Sequence, residues 1–270
     1  MSEDPWHVER LDLDAYLALV GVDRASPSLE GMGDLHEAHV RTFAFENIDV
    51  LLDAHPGVTL EVVQRKFLAG GRGGYCFEHA TLFAAVLQRL GYDVRRQLGR
   101  VGDPTRAGRT HCVVVVTLEG QRWLCDPGFG MSLLRPMPMT HGAEVDDQGW
   151  RYRLRRVGDE HAPMWEMYRL REAGWELMHT TDELPVHPID IEMGHHFTST
   201  WPPSHFRSGL ILTRHLADRH VTVTHETVTV RRPTEPTEHR ALEPGELATL
   251  VPELGITLPA EDLARLVARF

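Results

Sequence analysis

The chain has 270 residues, 42% of them hydrophobic and 25% charged, a balance that argues against a fibrous or disordered protein and leaves room for two or three small domains. Its formal net charge of −11 argues against nucleic acid or an anionic membrane surface as the main partner. Cys76, Cys112 and Cys125 are the only cysteines and form no C-x-x-C pair, so neither a disulfide framework nor a thiolate zinc site is expected, and no metal is assigned. The N-terminus, MSEDPWHVERLDLDAY, has no basic segment leading into an apolar run, and the apolar stretch 113–116 is far too short to cross a membrane. A soluble, cytoplasmic protein in which a free thiol persists is the expectation. Lysine occurs once, at Lys66, so any phosphate-binding charge would come from Arg, His or backbone N–H groups.

The first hundred residues read mainly as helix. A short amphipathic segment covers 11–19. Over 29–45 the residues Leu29, Met32, Leu35, His36, Val40 and Phe43 recur at spacings of three or four, which suits one buried helical face. Thr59 is placed to cap a helix running to Leu68. The run Gly70-Gly71-Arg72-Gly73-Gly74 interrupts the helical pattern, and a strongly helical stretch, 77–90, follows and ends at Gly91. Short Val- and Leu-rich strands are predicted at 93–101, 111–118 and 121–126, with Glu119-Gly120 as a two-residue hairpin turn. Further strands are predicted at 151–157, 164–170, 174–180, 207–215 and 220–231, and a helix at 187–199. The Pro-rich stretch 232–245 reads as a loop, and helices are predicted near 246–250 and over 260–270. Helices followed by strands indicate an α+β fold with an antiparallel sheet or barrel.

Cys76 lies where the glycine loop becomes a helix. Unpaired N–H groups and the helix dipole favour an anion there, and the thiolate is the reactive form of cysteine. The same position also suits a small buried hydrophobe, and core packing is the reading preferred for Cys112 and Cys125. A nucleophilic thiol needs a base and a group to orient that base. His111 opens one predicted strand and Asp126 closes the next. The turn at 119–120 brings them opposite one another to within one residue pair. His79, three residues after Cys76, is the rival base but has no evident orienting carboxylate.

These residues resemble the arylamine N-acetyltransferases. The stretch Arg72-Gly73-Gly74-Tyr75-Cys76-Phe77-Glu78 is similar to that family's nucleophile motif, Phe45-Glu46-Asn47-Ile48-Asp49-Val50 to its upstream motif, Thr110-His111 to its histidine strand, and Asp126-Pro127-Gly128-Phe129-Gly130 to its aspartate motif. Ser204-His205-Phe206 matches more weakly. Ala44, Ala80 and Thr81 depart from the family's usual residues. The resemblance implies a helical bundle over 1–92, a β-barrel over 93–205 and an α/β lid over 206–270. It implies a papain-like triad of Cys76, His111 and Asp126, acetyl-CoA as donor, and an ion pair of Glu46 with Arg72 near the site. Ping-pong transfer to an arylamine or hydrazine follows, in a monomer or homodimer. Thr110, Gly128, Phe129, Gly130 and Phe206 are candidate contacts for the donor. Phe45, Phe129 and Val101 are candidates to line the acceptor slot. The alternatives are an amide synthase of the same family acting on carrier-bound chains, a cysteine hydrolase using the same triad, and, more remotely, a binding module with an inert Cys76.

Overall fold

The computed structural model describes residues 4–270. The N-terminal part contributes α1 (Leu13–Val20), α2 (Leu29–Thr42), β1 (Phe45–Glu46), α3 (Ile48–Leu51), α4 (Leu60–Gln64) and α5 (Cys76–Arg89). Asp12 and Ser28 cap α1 and α2 by accepting from the N–H groups of Ala15 and Gly31. The helix predicted over 29–45 stops at Thr42, because Phe43 is extended and the chain leaves to form β1. Arg214 donates to the carbonyls of Arg41 and Thr42, so the last turn of α2 is satisfied from outside. Thr59 is the N-cap residue of α4, which continues to Ala69 as a π-helical turn.

From Cys76 to Leu87 every residue of α5 is buried, as expected of a helix at the centre of a fold. Phe77, Leu82, Phe83, Val86 and Leu87 each contribute roughly 1.5–3 kcal/mol of burial. Gly91 adopts φ 94°, the left-handed conformation expected just past a helix end.

Eight strands follow in one antiparallel sheet: β2 (Asp93–Val101), β3 (His111–Leu118), β4 (Gln121–Cys125), β5 (Met137–Pro138), β6 (Glu144–Asp147), β7 (Trp150–Val157), β8 (Met164–Arg171) and β9 (Gly174–Asp182). Their spatial order, β5-β4-β3-β2-β9-β8-β7-β6, curls into a nearly closed barrel. The β3–β4 turn forms as predicted, with φ 51° at Glu119 and 78° at Gly120. Along β3, Val113 and Val115 face the barrel core, while Cys112, Val114 and Val116 face α5.

The chain then forms α6 (Pro188–Thr200), α7 (His205–Ser208), β10 (Ile211–His215), β11 (His220–Thr224), β12 (Thr227–Arg231), β13 (Glu238–Ala241), α8 (Leu247–Glu253) and α9 (Ala260–Val267). Three expectations change here. The strand predicted at 207–215 is preceded by α7, because Asn47 binds the carbonyls of Phe206 and Gly209 and the N–H of Ile211, holding that segment in a turn. The strand predicted at 220–231 is a hairpin, since Thr224 Oγ1 accepts from the N–H groups of Glu226 and Thr227 and closes a turn. The predicted loop at 232–245 contains β13, an exposed edge strand with no apolar pattern to announce it. β1 joins this sheet at its edge, Phe45 pairing with Thr213 and Glu46 with Leu212, in the order β1-β10-β11-β12-β13.

Candidate active site

The glycine loop is pinned between these parts. Glu46 N–H donates to the Gly74 carbonyl at 2.8 Å and Gly74 N–H to the Ala44 carbonyl at 3.3 Å. The absent side chains of Gly73 and Gly74 therefore make room for Ala44 and for Glu78. The sequence suggested that these glycines let a ligand approach, whereas the close approach is made by the protein's own chain. The Glu78 carboxylate accepts from the Tyr75 N–H at 3.0 Å and caps α5 one residue before Cys76.

The Cys76 thiol is buried and donates to the Thr110 carbonyl at 3.4 Å. Burial pushes the thiol well above its ordinary range, with a further push from neighbouring Cys112 and Asp126. The N–H groups of Cys112 and Phe77 act the other way, favouring the thiolate. The sequence expectation of a thiol lowered by its helix N-terminus is outweighed by this dehydration. The sulfur thus sits against Thr110 and Cys112, the two neighbours of His111.

His111 and Asp126 meet as the hairpin predicts. Val114 pairs with Cys125, so Asp126 stands one residue beyond the ladder, and His111 Nε2 lies 3.1 Å from Asp126 Oδ2. Burial opposes ionisation of Asp126. The charge of His111 and the hydrogen bonds from His111 and His179 overturn that and hold the carboxyl well below its usual range. An ionised carboxylate only accepts, so Nε2 of His111 carries a proton and, in the neutral ring, Nδ1 is left as the basic atom.

His179 also reaches Asp126 Oδ2, at 3.0 Å, and was not foreseen from the sequence. It sits mid-strand in Leu177-Met178-His179-Thr180-Thr181, where no motif marks it. Only the pairing of β9 with β2 brings it to the site. The nearest ligand atoms of His111, Asp126 and His179 all lie within 4.8 Å of one another, a grouping that the two hydrogen bonds account for. Phe129 stands edge-on to His111, with ring centroids 5.2 Å apart, and is 5.5 Å from the His179 ring.

His79, the rival base, is committed elsewhere. Its Nδ1 is 2.9 Å from His39 Nε2, whose Nδ1 is 2.9 Å from the Tyr16 hydroxyl, and its own Nε2 points to the carbonyls of Gly74 and Ala44. Burial lowers it to about 4.

Beneath the loop lies an ion network larger than the expected Glu46–Arg72 pair. Arg72 contacts Glu46 Oε1 and Asp49 Oδ1, each at 2.7 Å. Lys66 joins Asp49 and Glu78 at 2.8 Å and Glu46 at 3.7 Å, and His55 lies 3.3 Å from Glu78. The chain's only lysine is thus a buried bridge among three carboxylates.

The remaining candidates fall in two groups. Gly128 packs against Cys76 and His79, Phe129 covers the imidazoles, and Thr110 holds the thiol. Phe45 and Phe206 sit together with centroids 6.2 Å apart, and Phe206 is 5.5 Å from the Tyr75 ring. The Gly130 carbonyl accepts from Thr213 and His220, and a Cβ on Gly130 would touch Phe45. Val101 is 42% exposed and pairs with His179 across β2 and β9.

Comparison with known proteins identifies the family. The N-acetyltransferase family profile matches residues 28–263. The arylamine N-acetyltransferase of Escherichia coli K12 is 34% identical over 72% of this chain and 69% of its own length. The structure of the arylamine N-acetyltransferase from Mycobacterium abscessus superposes with a TM-score of 0.91 at 38% identity, covering 98% of this chain and 96% of that one. The Mycobacterium marinum enzyme in complex with CoA superposes at 0.87 and 31% identity, covering 96% and 98%. The fold and the family match define an acyltransferase. The chain belongs to the arylamine N-acetyltransferase family. No helix among the described residues is long and apolar enough to cross a membrane.

Proposed function

We propose that the enzyme transfers the acetyl group of acetyl-CoA to an arylamine or arylhydrazine nitrogen through a thioester on Cys76. The observation that carries this reading is the buried contact of His111 with Asp126 at 3.1 Å, beside a thiol held by Thr110 at 3.4 Å. Cys76 gives its proton to His111 and attacks the acetyl carbonyl carbon. Backbone N–H groups at the start of α5 are the candidates to stabilise the oxyanion. Collapse of the tetrahedral adduct expels the CoA thiolate, which takes the proton from His111. The amine then attacks the acetyl-Cys76 carbonyl, His111 accepts the amine proton, and the amide leaves as the thiol is restored. Asp126 holds the imidazole through Nε2 throughout, leaving Nδ1 to take and return the proton. The Mycobacterium marinum CoA complex supports acetyl-CoA as co-substrate. Phe45, Phe129 and Phe206 offer flat apolar surface for an aromatic acceptor.

The test is CoA release measured against a panel of arylamines and hydrazines. Without acceptor, one equivalent of CoA per chain is expected as a burst. With acceptor, steady turnover follows. Cys76→Ala abolishes both. Acetyl transfer by that variant near the wild-type rate refutes the scheme.

A further inference from the structure

We propose that His179 is a positioning residue for the triad, fixing Asp126 and dividing its charge between two imidazoles. This rests on the reading of Cys76, His111 and Asp126 as the catalytic set. His179 Nε2 lies 3.0 Å from Asp126 Oδ2, the same oxygen that receives His111 Nε2 at 3.1 Å. The ionised carboxylate only accepts, so both imidazoles donate through Nε2. The other oxygen, Oδ1, has no hydrogen-bond partner among the described residues. The orientation of the carboxylate therefore depends on these two donors at one oxygen, and removing either leaves a single contact about which it can turn.

The sheet builds this arrangement deliberately across three strands. Gly99 of β2 pairs with His111 of β3 on one side and with Thr181 of β9 on the other, and Val101 pairs with His179. A Cβ at Gly99 would lie 2.9 Å from Thr181 Cγ2 and 3.7 Å from His111 Cδ2. The glycine leaves the lane through which imidazoles from β3 and β9 converge. Asp126 and His179 are fully buried and His111 is nearly so, which leaves no bulk water to replace a lost donor.

The charge consequence follows from the shared oxygen. A second donor on the Asp126 carboxylate draws on the same charge, weakens the pull on His111 and keeps its proton transferable to the departing CoA sulfur. The titratable groups around the pair are Cys76 from α5, Cys112 and Cys125 from β3 and β4, His36 from α2, and Tyr152 from β7. Among the described residues none of these hydrogen-bonds Asp126, whereas His179 does.

The experiment compares His179→Gln with His179→Asn in the full chain. Both side chains are uncharged amides, and only glutamine is long enough to place an N–H where Nε2 now sits. Rates are referred to folded enzyme by the acetyl-enzyme burst, and kcat, KM for acetyl-CoA and the pH profile are measured. H179N is expected to lose roughly tenfold in kcat with KM within about twofold. The acid limb of its profile is expected to move up by roughly half a pH unit or more. H179Q is expected to stay within about threefold of wild type in kcat, with the limb in place. Two results overturn the inference: H179N with the wild-type profile, or equal losses in both variants with no movement of the limb. Cys76→Ala is run in parallel. If it retains transfer, the triad reading itself fails. If it is inactive while H179N behaves as wild type, only the role of His179 fails.

Discussion

Replacing Lys66 by methionine keeps most of the side-chain volume and removes one cation from the buried network. Lys66, Arg72, Glu46, Asp49 and Glu78 carry two positive and three negative charges, so the substitution leaves one cation facing three carboxylates. At an effective dielectric of about 20, each 2.8 Å contact holds roughly 6 kcal/mol of gross attraction, most of which is returned as the cost of dehydrating the ions. Removing one partner of such a set costs about 3–5 kcal/mol, because the uncompensated carboxylates stay buried. For a chain of this size that is a fall in Tm of roughly 6–20 °C. The pH dependence supplies a second reading. Glu78 is held far below its ordinary range, burial being overcome by Lys66 and His55. Its contribution is therefore present above the unfolded carboxyl pKa and is lost progressively as pH falls from that value toward the much lower folded one. Lys66 is pushed the other way, so its contribution is complete below the unfolded lysine pKa and is lost only as pH rises above it. Thermal and urea unfolding at pH 7 should show the full deficit of K66M, and the gap to wild type should narrow toward pH 4. K66M combined with E78Q should be less destabilised than the two single variants imply, by at least about 1 kcal/mol. A K66M variant within about 1 kcal/mol of wild type at pH 7 would refute the reasoning.

Gly128→Ala should act at the site, not at a distance. The new Cβ would lie 2.9 Å from both Cys76 Cα and His79 Cβ, so the start of α5 must move. A loss of about 1–3 kcal/mol in stability is expected, with a larger loss in burst rate than in KM for acetyl-CoA. An unchanged burst would show that α5 yields without disturbing the thiol. A separate acid lability is expected from the buried neutral histidines. His36 and His79 are lowered to about 4, chiefly by burial. The folded chain keeps them uncharged while the unfolded chain protonates below about pH 6.5, so stability falls as pH drops through the window between those values. Between pH 6.5 and 5 each should remove about 2 kcal/mol, read by urea midpoints. His79→Gln should flatten that slope, and an unaltered slope would place the lability elsewhere.

The local elements were legible where sequence signals are local. Glu119-Gly120 marks its hairpin, Gly91 ends α5, and the spacing of His111 and Asp126 about that turn predicts their contact. The α+β class and the family follow from the same short segments. Signals carried by strand pairing were not legible. β1 has two residues and owes its existence to β10 and Gly74, so it reads as the tail of a helix. β13 is exposed along its whole length and has no alternation to detect. His179 is invisible for the same reason: it is one of seventeen histidines, and only the β2–β9 register delivers it to Asp126. Lys66 carried no signal beyond its rarity, because its three carboxylate partners come from β1, α3 and α5.

The burial of Cys76 sets a condition on the proposed chemistry. Dehydration penalises a bare thiolate, and the groups at the sulfur are Thr110, Cys112, Phe77 and Asp126, with no cation of the ion network among them. An internal proton transfer meets the condition. With Asp126 ionised, a neutral thiol and neutral His111 give the site one negative charge, and a thiolate with an imidazolium gives the same total. Transfer therefore creates a dipole instead of a new buried charge. Its positive end, the His111 ring, lies against Asp126, and its negative end lies at the N-terminus of α5, beside the N–H groups of Phe77 and Cys112. Both ends are stabilised by groups already in place, so the energy of ionisation depends on the position of the Asp126 carboxylate as well as on the thiol's own surroundings. That carboxylate is held at one oxygen by two histidines, which makes β9, far from Cys76 in sequence, part of what decides whether the thiol can react.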